Sequence, residues 1–559
     1  MIKSITLKFG SAPSQQPLKL DVAPVTIFVG PNNSGKSKVL SELHEYCRTG
    51  DKHHSSVILD HVVFSDLAGT EIPQVIQALK QSPRTNERIQ PGHIIVGKHN
   101  QRHQVPENEF VESIKNPNAR LQHFCKWYLS LFTLMLDGKS RITLVNEQPA
   151  TDLQQFPQNV LGILFLDDAK RLEVRRIIYD AFGSYFVIDP TALSKLRIRL
   201  SEVEPITHMQ ERGIHAEAVK FHADALNISD ASDGVKAFTG IITQIVAGDP
   251  TVILIDEPEA FLHPSLSFKL GKEVAISAAK SDKRLFVSTH SASFVMGCIQ
   301  SGAPINIVRL TYLNGIPTAR TLPNSKILRL MRNPLLRSTG VLNGLFYQSV
   351  VVTESDSDRA FYQEINERLL RYHANRGIPN CLFLNAQNKQ TTHQIIQPLR
   401  DLGIPTAGVV DVDVLKEGGK VWTDFLHGGF VPEASHAGLG TIRANIRQKC
   451  DATGKDMKRN GGVSILDEAD KGAANDLFDH LADYGLFVVR SGELESWLKH
   501  LGAAGHGPGW LVQVFEKMGE NPDDPTYVKP SGGDVWEFIE TIGTWLQNPK
   551  RKGIPAGST

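Results

Sequence analysis

An apolar run that ends abruptly in a glycine-bounded octet constrains this chain more than any other feature. Val25-Thr26-Ile27-Phe28-Val29 has the composition of a buried strand, and Gly30-Pro31-Asn32-Asn33-Ser34-Gly35-Lys36-Ser37 follows it at once. The octet fits GxxxxGK[ST], and Lys38-Val39-Leu40-Ser41-Glu42-Leu43 then opens a helical pattern. Strand, glycine turn and helix in this order predict an α/β fold whose turn binds phosphate. Gly30 and Gly35 let successive N–H groups, with Asn33 between them, curl around phosphate oxygens at a helix N-terminus. Lys36 is expected to reach the β- and γ-phosphates of a nucleotide, and Ser37 to ligate magnesium.

A second element strengthens the nucleotide reading. Thr251-Val252-Ile253-Leu254-Ile255-Asp256-Glu257-Pro258 is an apolar strand ending in two acids. Placed beside the phosphate-loop strand in a parallel sheet, it brings Asp256 to the magnesium and lets Glu257 polarise the attacking water. A third strand, Leu285-Phe286-Val287-Ser288-Thr289, delivers His290 toward the γ-phosphate. About twenty residues before the acidic strand, Asp230-Ala231-Ser232-Asp233-Gly234 has the form of a helix N-terminus. The order of loop, acidic strand and histidine strand repeats that of ABC-type ATPases. In that comparison Ser232 marks the signature helix that grips the γ-phosphate of a second subunit, so ATP is expected to glue a dimer.

Length and composition frame the rest. A chain of 559 residues is too long for one core and implies two or three domains. Lysine plus arginine (60) equals aspartate plus glutamate (60), so no basic excess of the kind a dedicated nucleic-acid binder shows is present. No apolar run approaches the roughly 18 residues of a membrane span, and the start alternates like a strand rather than a secretory leader. Five cysteines without CxxC spacing argue against a disulfide framework or a zinc site and fit a cytoplasmic setting. A boundary is expected near 335–348, giving domains 1–345 and 346–559, with a helical insertion or dimerisation region at about 100–225. Segments 168–181 and 192–202 read as basic helices. The stretch 450–462 reads as a mobile loop, and the tail from 548 as disordered.

The C-terminal third places acids where strands end. Ser349-Val350-Val351-Val352-Thr353 leads into Glu354-Ser355-Asp356-Ser357-Asp358, and a helix starting near Asp356 would bring Glu354 and Asp358 to one face. Ala407-Gly408-Val409-Val410 delivers Asp411-Val412-Asp413, and Leu486-Phe487-Val488-Val489 leads to Glu493-Leu494-Glu495, each pair at i, i+2. Six carboxylates at one sheet edge repel unless cations sit among them, and oxygen ligands in that number suit Mg²⁺ or Mn²⁺.

Taken together, residues 30–37, Ile255-Asp256-Glu257-Pro258-Glu259 and Ser288-Thr289-His290 resemble the ATPase of ABC-type DNA-repair and chromosome-maintenance proteins. Glu354 and Asp411-Val412-Asp413 resemble a Toprim domain. The order of the two, closed by Gly492-Glu493-Leu494-Glu495, is similar to the OLD (overcoming lysogenization defect) family of ATP-linked nucleases over about 1–45, 230–310 and 346–500. The resemblance implies two-metal DNA cleavage with Glu354, Asp358, Asp411, Asp413 and Glu493 as ligands, Glu495 beside them. It also implies homodimers or higher assemblies and a role in defence against phage, with an accessory defence protein as a further partner. A catalytic lysine after the last acidic motif is implied too, with Lys529 the candidate and Lys499 and Lys517 its rivals. Ser355 stands where Toprim domains carry glycine. A different class of function, an ATP-driven DNA-binding or sensor protein whose second domain only scaffolds, fits the same residues, as does an RNA or nucleotide substrate.

Overall fold

A computed structural model describes residues 1–555, apart from 14, 67–70, 85–86, 99–100, 151, 153, 155–156, 158, 333 and 335–339; the side chains of 329 and 330 are likewise outside the description. The chain divides into two compact units, Met1–Asn324 and Ser325–Thr559. The division falls ahead of the 345/346 boundary expected from the sequence. The helix Asn324–Arg332 counts with the second unit, and part of the expected boundary segment, 335–339, lies outside the described residues. Among the described residues no helix is long and apolar enough to cross a membrane, and all five cysteines are free.

The first unit is built on a six-stranded sheet. Its order is Ile316–Thr321, Ile305–Leu313, Val25–Val29, Arg284–Ser288, Val252–Asp256, Thr133–Leu136. All neighbours are parallel except the hairpin Ile305–Leu313/Ile316–Thr321. The strand Val25–Val29 is buried at every position, as a strand covered on both faces must be. The histidine strand Arg284–Ser288 lies between the phosphate-loop strand and the acidic strand, which corrects the direct adjacency read from the sequence. Nothing in a run of buried aliphatics records its neighbour, because either order buries the same side chains.

The helix Lys36–Thr49 turns Val39, Leu40, Leu43, Tyr46 and Cys47 inward, into a core shared with a three-stranded antiparallel sheet, Lys19–Asp21, Ile2–Leu7, Leu59–Phe64. The expected helical insertion is mixed. The helix Asp168–Phe182 is present, but 192–202 is not helical: Lys195–Ser201 is a strand. Lys195-Leu196-Arg197-Ile198-Arg199-Leu200 alternates with period two, and Arg197 and Arg199 both pair with the fully buried Asp189 of the neighbouring strand.

The second unit holds a four-stranded parallel sheet, ordered Cys381–Asn385, Ser349–Thr353, Thr406–Asp411, Leu486–Val489. One face is covered by the helices Asp356–Tyr372, Pro508–Met518 and Asp534–Gln547, whose Phe361, Tyr362, Trp510, Trp536 and Ile539 pack on Val351, Val409 and Phe487. The tail is tied down through 555 rather than disordered. Arg551 donates to Leu546 O at 2.9 Å, and Gly553 O accepts from the buried Arg400 at 3.1 Å.

Candidate nucleotide and metal sites

The phosphate loop takes its shape from backbone that only certain residues tolerate. Gly30 and Gly35 have φ of 147° and 93°, and Asn33 sits at φ 61°. A Cβ on Gly30 would fall 2.0 Å from Leu310 O, so glycine is obligatory there. Gly35 ends the turn as the N-cap of Lys36–Thr49, leaving that helix's first N–H groups directed at the loop. Lys36 is buried and donates to Gly30 O (2.9 Å) and Pro31 O (2.7 Å). Burial lowers its pKa to about 8 against the pull of Glu257, Asp256 and Glu259. Ser34 Oγ is buried and makes no hydrogen bond among the described residues. A glycine cradle, an orphaned hydroxyl and a desolvated ammonium together fit a phosphate chain.

Asp256 arrives at this loop across the intervening strand. Its Oδ1 accepts from Ser37 Oγ at 2.9 Å and from Ser288 Oγ. Ser37 and Asp256 are thus held in direct contact beside the loop. Glu257 follows at φ 51°, its N–H bonded to Ser288 O at 2.9 Å and its side chain 3.9 Å from His290 Nε2. Burial, then the charge of Lys36, lowers the His290 pKa, which favours the neutral ring. Ser232 stands at the N-cap of Asp233–Val246 without a capping side-chain bond, leaving its hydroxyl unused by its own helix.

Of two further residues here, Arg141 escaped the sequence reading and Glu259 was named in a motif without a role. Arg141, 1% exposed, follows the edge strand Thr133–Leu136; it donates to Asp137 O at 3.0 Å and to Glu257 O. It therefore pins the residue proposed to orient water in its left-handed conformation. Glu259 is half-buried, its pKa raised by burial, and it accepts from His290 N at 2.7 Å. Arg141 belongs to no short motif, whereas Glu259 closes the Ile255-Asp256-Glu257-Pro258-Glu259 motif.

In the second unit three strand ends bring acids together. Carboxylate oxygens of Glu354, Asp411 and Asp413 lie within 4.8 Å of one another, and ligand atoms of Glu493, Glu495 and His506 form a second such group. Glu354 follows the strand Ser349–Thr353, and its Oε1 accepts from Asp411 N at 2.8 Å. Burial, then the charges of Asp411 and Asp413, push its pKa up to about 8. Burial raises Asp411 as well, and Asp413 Oδ1 is buried without a hydrogen-bond partner among the described residues. Burial likewise raises Glu493, with Glu495 adding to it. Acids forced close, desolvated and left with an orphaned oxygen fit a hard divalent cation.

Asp358 stands apart from these triads. Ser355 is the N-cap of Asp356–Tyr372, and Asp358 is its capping-box partner: Oδ2 accepts from Ser355 N (2.9 Å) and Oγ (2.8 Å). Glu354 precedes the helix, so the helical-face relation expected between Glu354 and Asp358 does not hold. The capping box also explains how serine serves where glycine was expected, since Ser355 has an extended φ of −136°. One Asp358 oxygen is spent on the cap, and burial, then Asp411, raises its pKa to about 7.

The chain's own cations complete the site. Lys458 Nζ lies 2.9 Å from Asp411 Oδ2 and 3.6 Å from Glu493 Oε2, so one ammonium joins the two triads. Burial opposes its charge, but Asp411, Asp413 and Glu354 outweigh burial and hold its pKa above the ordinary lysine range. Lys389 lies 2.6 Å from Asp413 Oδ2. Lys529 is not at the carboxylates: its ammonium is 5.6 Å from the centre of the Tyr372 ring, at the far end of Asp356–Tyr372. A helix of that length separates it from Glu354 by roughly 25 Å. Lys517 caps Leu501 O and Gly502 O at 2.8 Å each, while Lys499 lines a cavity with Lys458, Glu493 and Glu495. His506, 2.7 Å from Glu495 Oε1, is a further member that the sequence did not suggest.

Residues 70–296 match the family model described as "AAA domain, putative AbiEii toxin, Type IV TA system". A curated relative, the Old nuclease of Escherichia phage P2, is 23% identical over 263 residues. The match spans 44% of this chain and 43% of that protein, less than half of either. Among solved structures, an SMC head bound to the C-terminal winged-helix domain of ScpA aligns at TM-score 0.33 and 12% identity, over 59% of this chain and 99% of the other. The SMC head domain from Thermotoga maritima aligns at TM-score 0.30 and 13% identity, over 58% of this chain and 99% of the other.

Proposed function

We propose that this chain, an α/β P-loop ATPase whose motif order and curated relative both point to the OLD family, is an ATP-dependent, divalent-metal-dependent endonuclease acting on DNA. The observation that carries this reading is the convergence of Glu354, Asp411 and Asp413 within 4.8 Å, from two strand ends and the turn after one of them. Mg²⁺ or Mn²⁺ bound there would supply Lewis acidity and a water acidic enough to attack a phosphodiester. The chain's part is to hold and orient. Glu354, Asp411 and Asp413 form one binding group, Glu493 and Glu495 a second, and Asp358 buttresses the first turn with its free oxygen available to the site. We read the second unit as a Toprim domain.

In the first unit, Gly30, Asn33 and Gly35 shape the loop for the phosphates, and Lys36 exchanges its loop carbonyls for phosphate oxygens. Ser37 and Asp256 hold magnesium, Glu257 orients water, and His290 contacts the γ-phosphate. Ser232, unused by its own helix, meets the nucleotide of a second copy, so ATP closes a homodimer and hydrolysis loosens it. A role in defence against phage, in the cytoplasm and with an accessory protein, accords with the family.

One observation favours the scaffold reading: Lys458 and Lys389 already neutralise Asp411 and Asp413. Plasmid incubated with the protein, ATP and Mn²⁺ separates the two. Nicking by the parent that is lost in Glu354→Ala and Asp411→Ala supports the nuclease, whereas intact plasmid in every arm supports the scaffold.

A further inference from the structure

Lys458 combines a fixed main chain with a movable charge. Gly462 N donates to Met457 O at 2.9 Å and Val463 N to Arg490 O at 3.0 Å, which closes the turn that carries it. Asp456 Oδ1 accepts from Lys458 N at 2.8 Å, and Met457 is buried. Two glycines allow the turn to lie flat against the last acidic motif. A Cβ on Gly492 would fall 2.2 Å from Lys458 O, and one on Gly462 would fall 1.9 Å from Arg490 O. The stretch expected to be a mobile loop is therefore anchored. The Lys458 side chain, by contrast, is 28% exposed. It opens on a cavity of about 380 Å³ lined by Arg459, Ser496, Lys499 and His506 as well as by Glu493 and Glu495.

We propose that Lys458 is a placeholder cation: it neutralises Asp411 and Glu493 until a divalent cation displaces its ammonium into that cavity, and it thereby sets the cation concentration at which the site fills. The inference rests on the metal-site reading above. An ammonium lodged between Asp411 and Glu493 repels a divalent cation that would bind the same carboxylates and cancels the charge that would draw it in. The cost of separating Lys458 from Asp411 and Glu493 is thus subtracted from the affinity for the metal. The anchored backbone confines the exchange to one side chain, so filling the site need not rebuild the turn.

The test is calorimetric titration of the full chain with MnCl₂ at pH 8, comparing the parent, Lys458→Met and Asp411→Ala. Lys458→Met keeps the apolar stem and removes the charge, and is expected to bind Mn²⁺ roughly tenfold more tightly than the parent. Equal or weaker binding by Lys458→Met, with Asp411→Ala impaired, overturns the placeholder and leaves the metal site standing. No Mn²⁺ binding by the parent overturns both. A second measurement needs no variant. In the parent, acetic anhydride followed by peptide mass spectrometry is expected to label Lys458 several-fold more in Mn²⁺ than in EDTA. Equal labelling, or protection by Mn²⁺, overturns the proposal.

Discussion

Replacing Glu354 by glutamine is expected to make the metal-free protein more stable while abolishing its response to metal. Burial, then Asp411 and Asp413, raises the Glu354 pKa from 4.5 to about 8. At 1.36 kcal/mol for each tenfold change in proton affinity, that rise bounds the destabilisation by an ionised Glu354 at about 5 kcal/mol. Asp411 shares the strain and Lys389 relieves part of it, so the expected gain is ~1–3 kcal/mol. For a unit of this size that is roughly 2–10 °C in Tm. Glutamine keeps the oxygen that accepts from Asp411 N, so the gain is not offset by a lost hydrogen bond. The sign follows from proton linkage. The folded chain binds more protons at Glu354 than the unfolded chain between about pH 4.5 and 8, so metal-free stability is full below that window and is lost as pH rises through it. Scanning calorimetry in EDTA at pH 8 should therefore show Glu354→Gln melting above the parent, with the difference vanishing near pH 5. Added Mn²⁺ should raise the parent and leave the variant unmoved. A variant that melts lower at pH 8, or a difference indifferent to pH, would refute the reasoning.

Four further outcomes follow, three from the nucleotide site and one from Lys529. Gly30→Ala drives a Cβ to 2.0 Å from Leu310 O, so ATP binding should be lost together with at least ~2 kcal/mol of stability, read by fluorescent-nucleotide titration and thermal melting. Glu257→Gln should bind ATP as the parent does yet hydrolyse it roughly 10²–10⁴-fold more slowly, and gel filtration with ATP should shift it to a dimer; a monomer with and without ATP would remove the shared-nucleotide proposal. Arg141→Met leaves Glu257 O and its acidic neighbours without their cation, which should cost roughly 3 kcal/mol and most of the ATPase rate, while Lys529→Ala should leave Mn²⁺ affinity and plasmid nicking within about twofold of the parent.

What the sequence disclosed was whatever sits at a strand end. Gly30, Lys36, Ser37 and Asp256 are legible because a buried apolar run must stop where its polar terminus meets the site, so the motif and its place in the sheet are read together. Glu354, Asp411 and Glu493 were legible for the same reason, as parallel strands deliver their C-terminal ends to one edge. Sheet order was not: Arg284–Ser288 and Val252–Asp256 are equally apolar, and nothing in either says which lies against Val25–Val29. Lys389, Arg141 and His506 were hidden because each enters from a turn or a helix start, where a lone basic residue resembles any solvated one; Lys458 lay in a stretch read as a basic, mobile loop. Lys195–Ser201 was misread because its basic residues suggested a helix, although its alternation had period two. The serine after Glu354 looked like a defect in the turn and proved to be half of a capping box.

The central claim is that the second unit holds divalent cations between Glu354, Asp411 and Asp413. Crystals of the full chain soaked in MnCl₂, with diffraction recorded at the manganese edge, test it most directly. An anomalous peak bonded to all three carboxylates is expected, with Lys458 turned away from Asp411. Millimolar Mn²⁺ that leaves no peak there, with Lys458 still bridging Asp411 and Glu493, would contradict it.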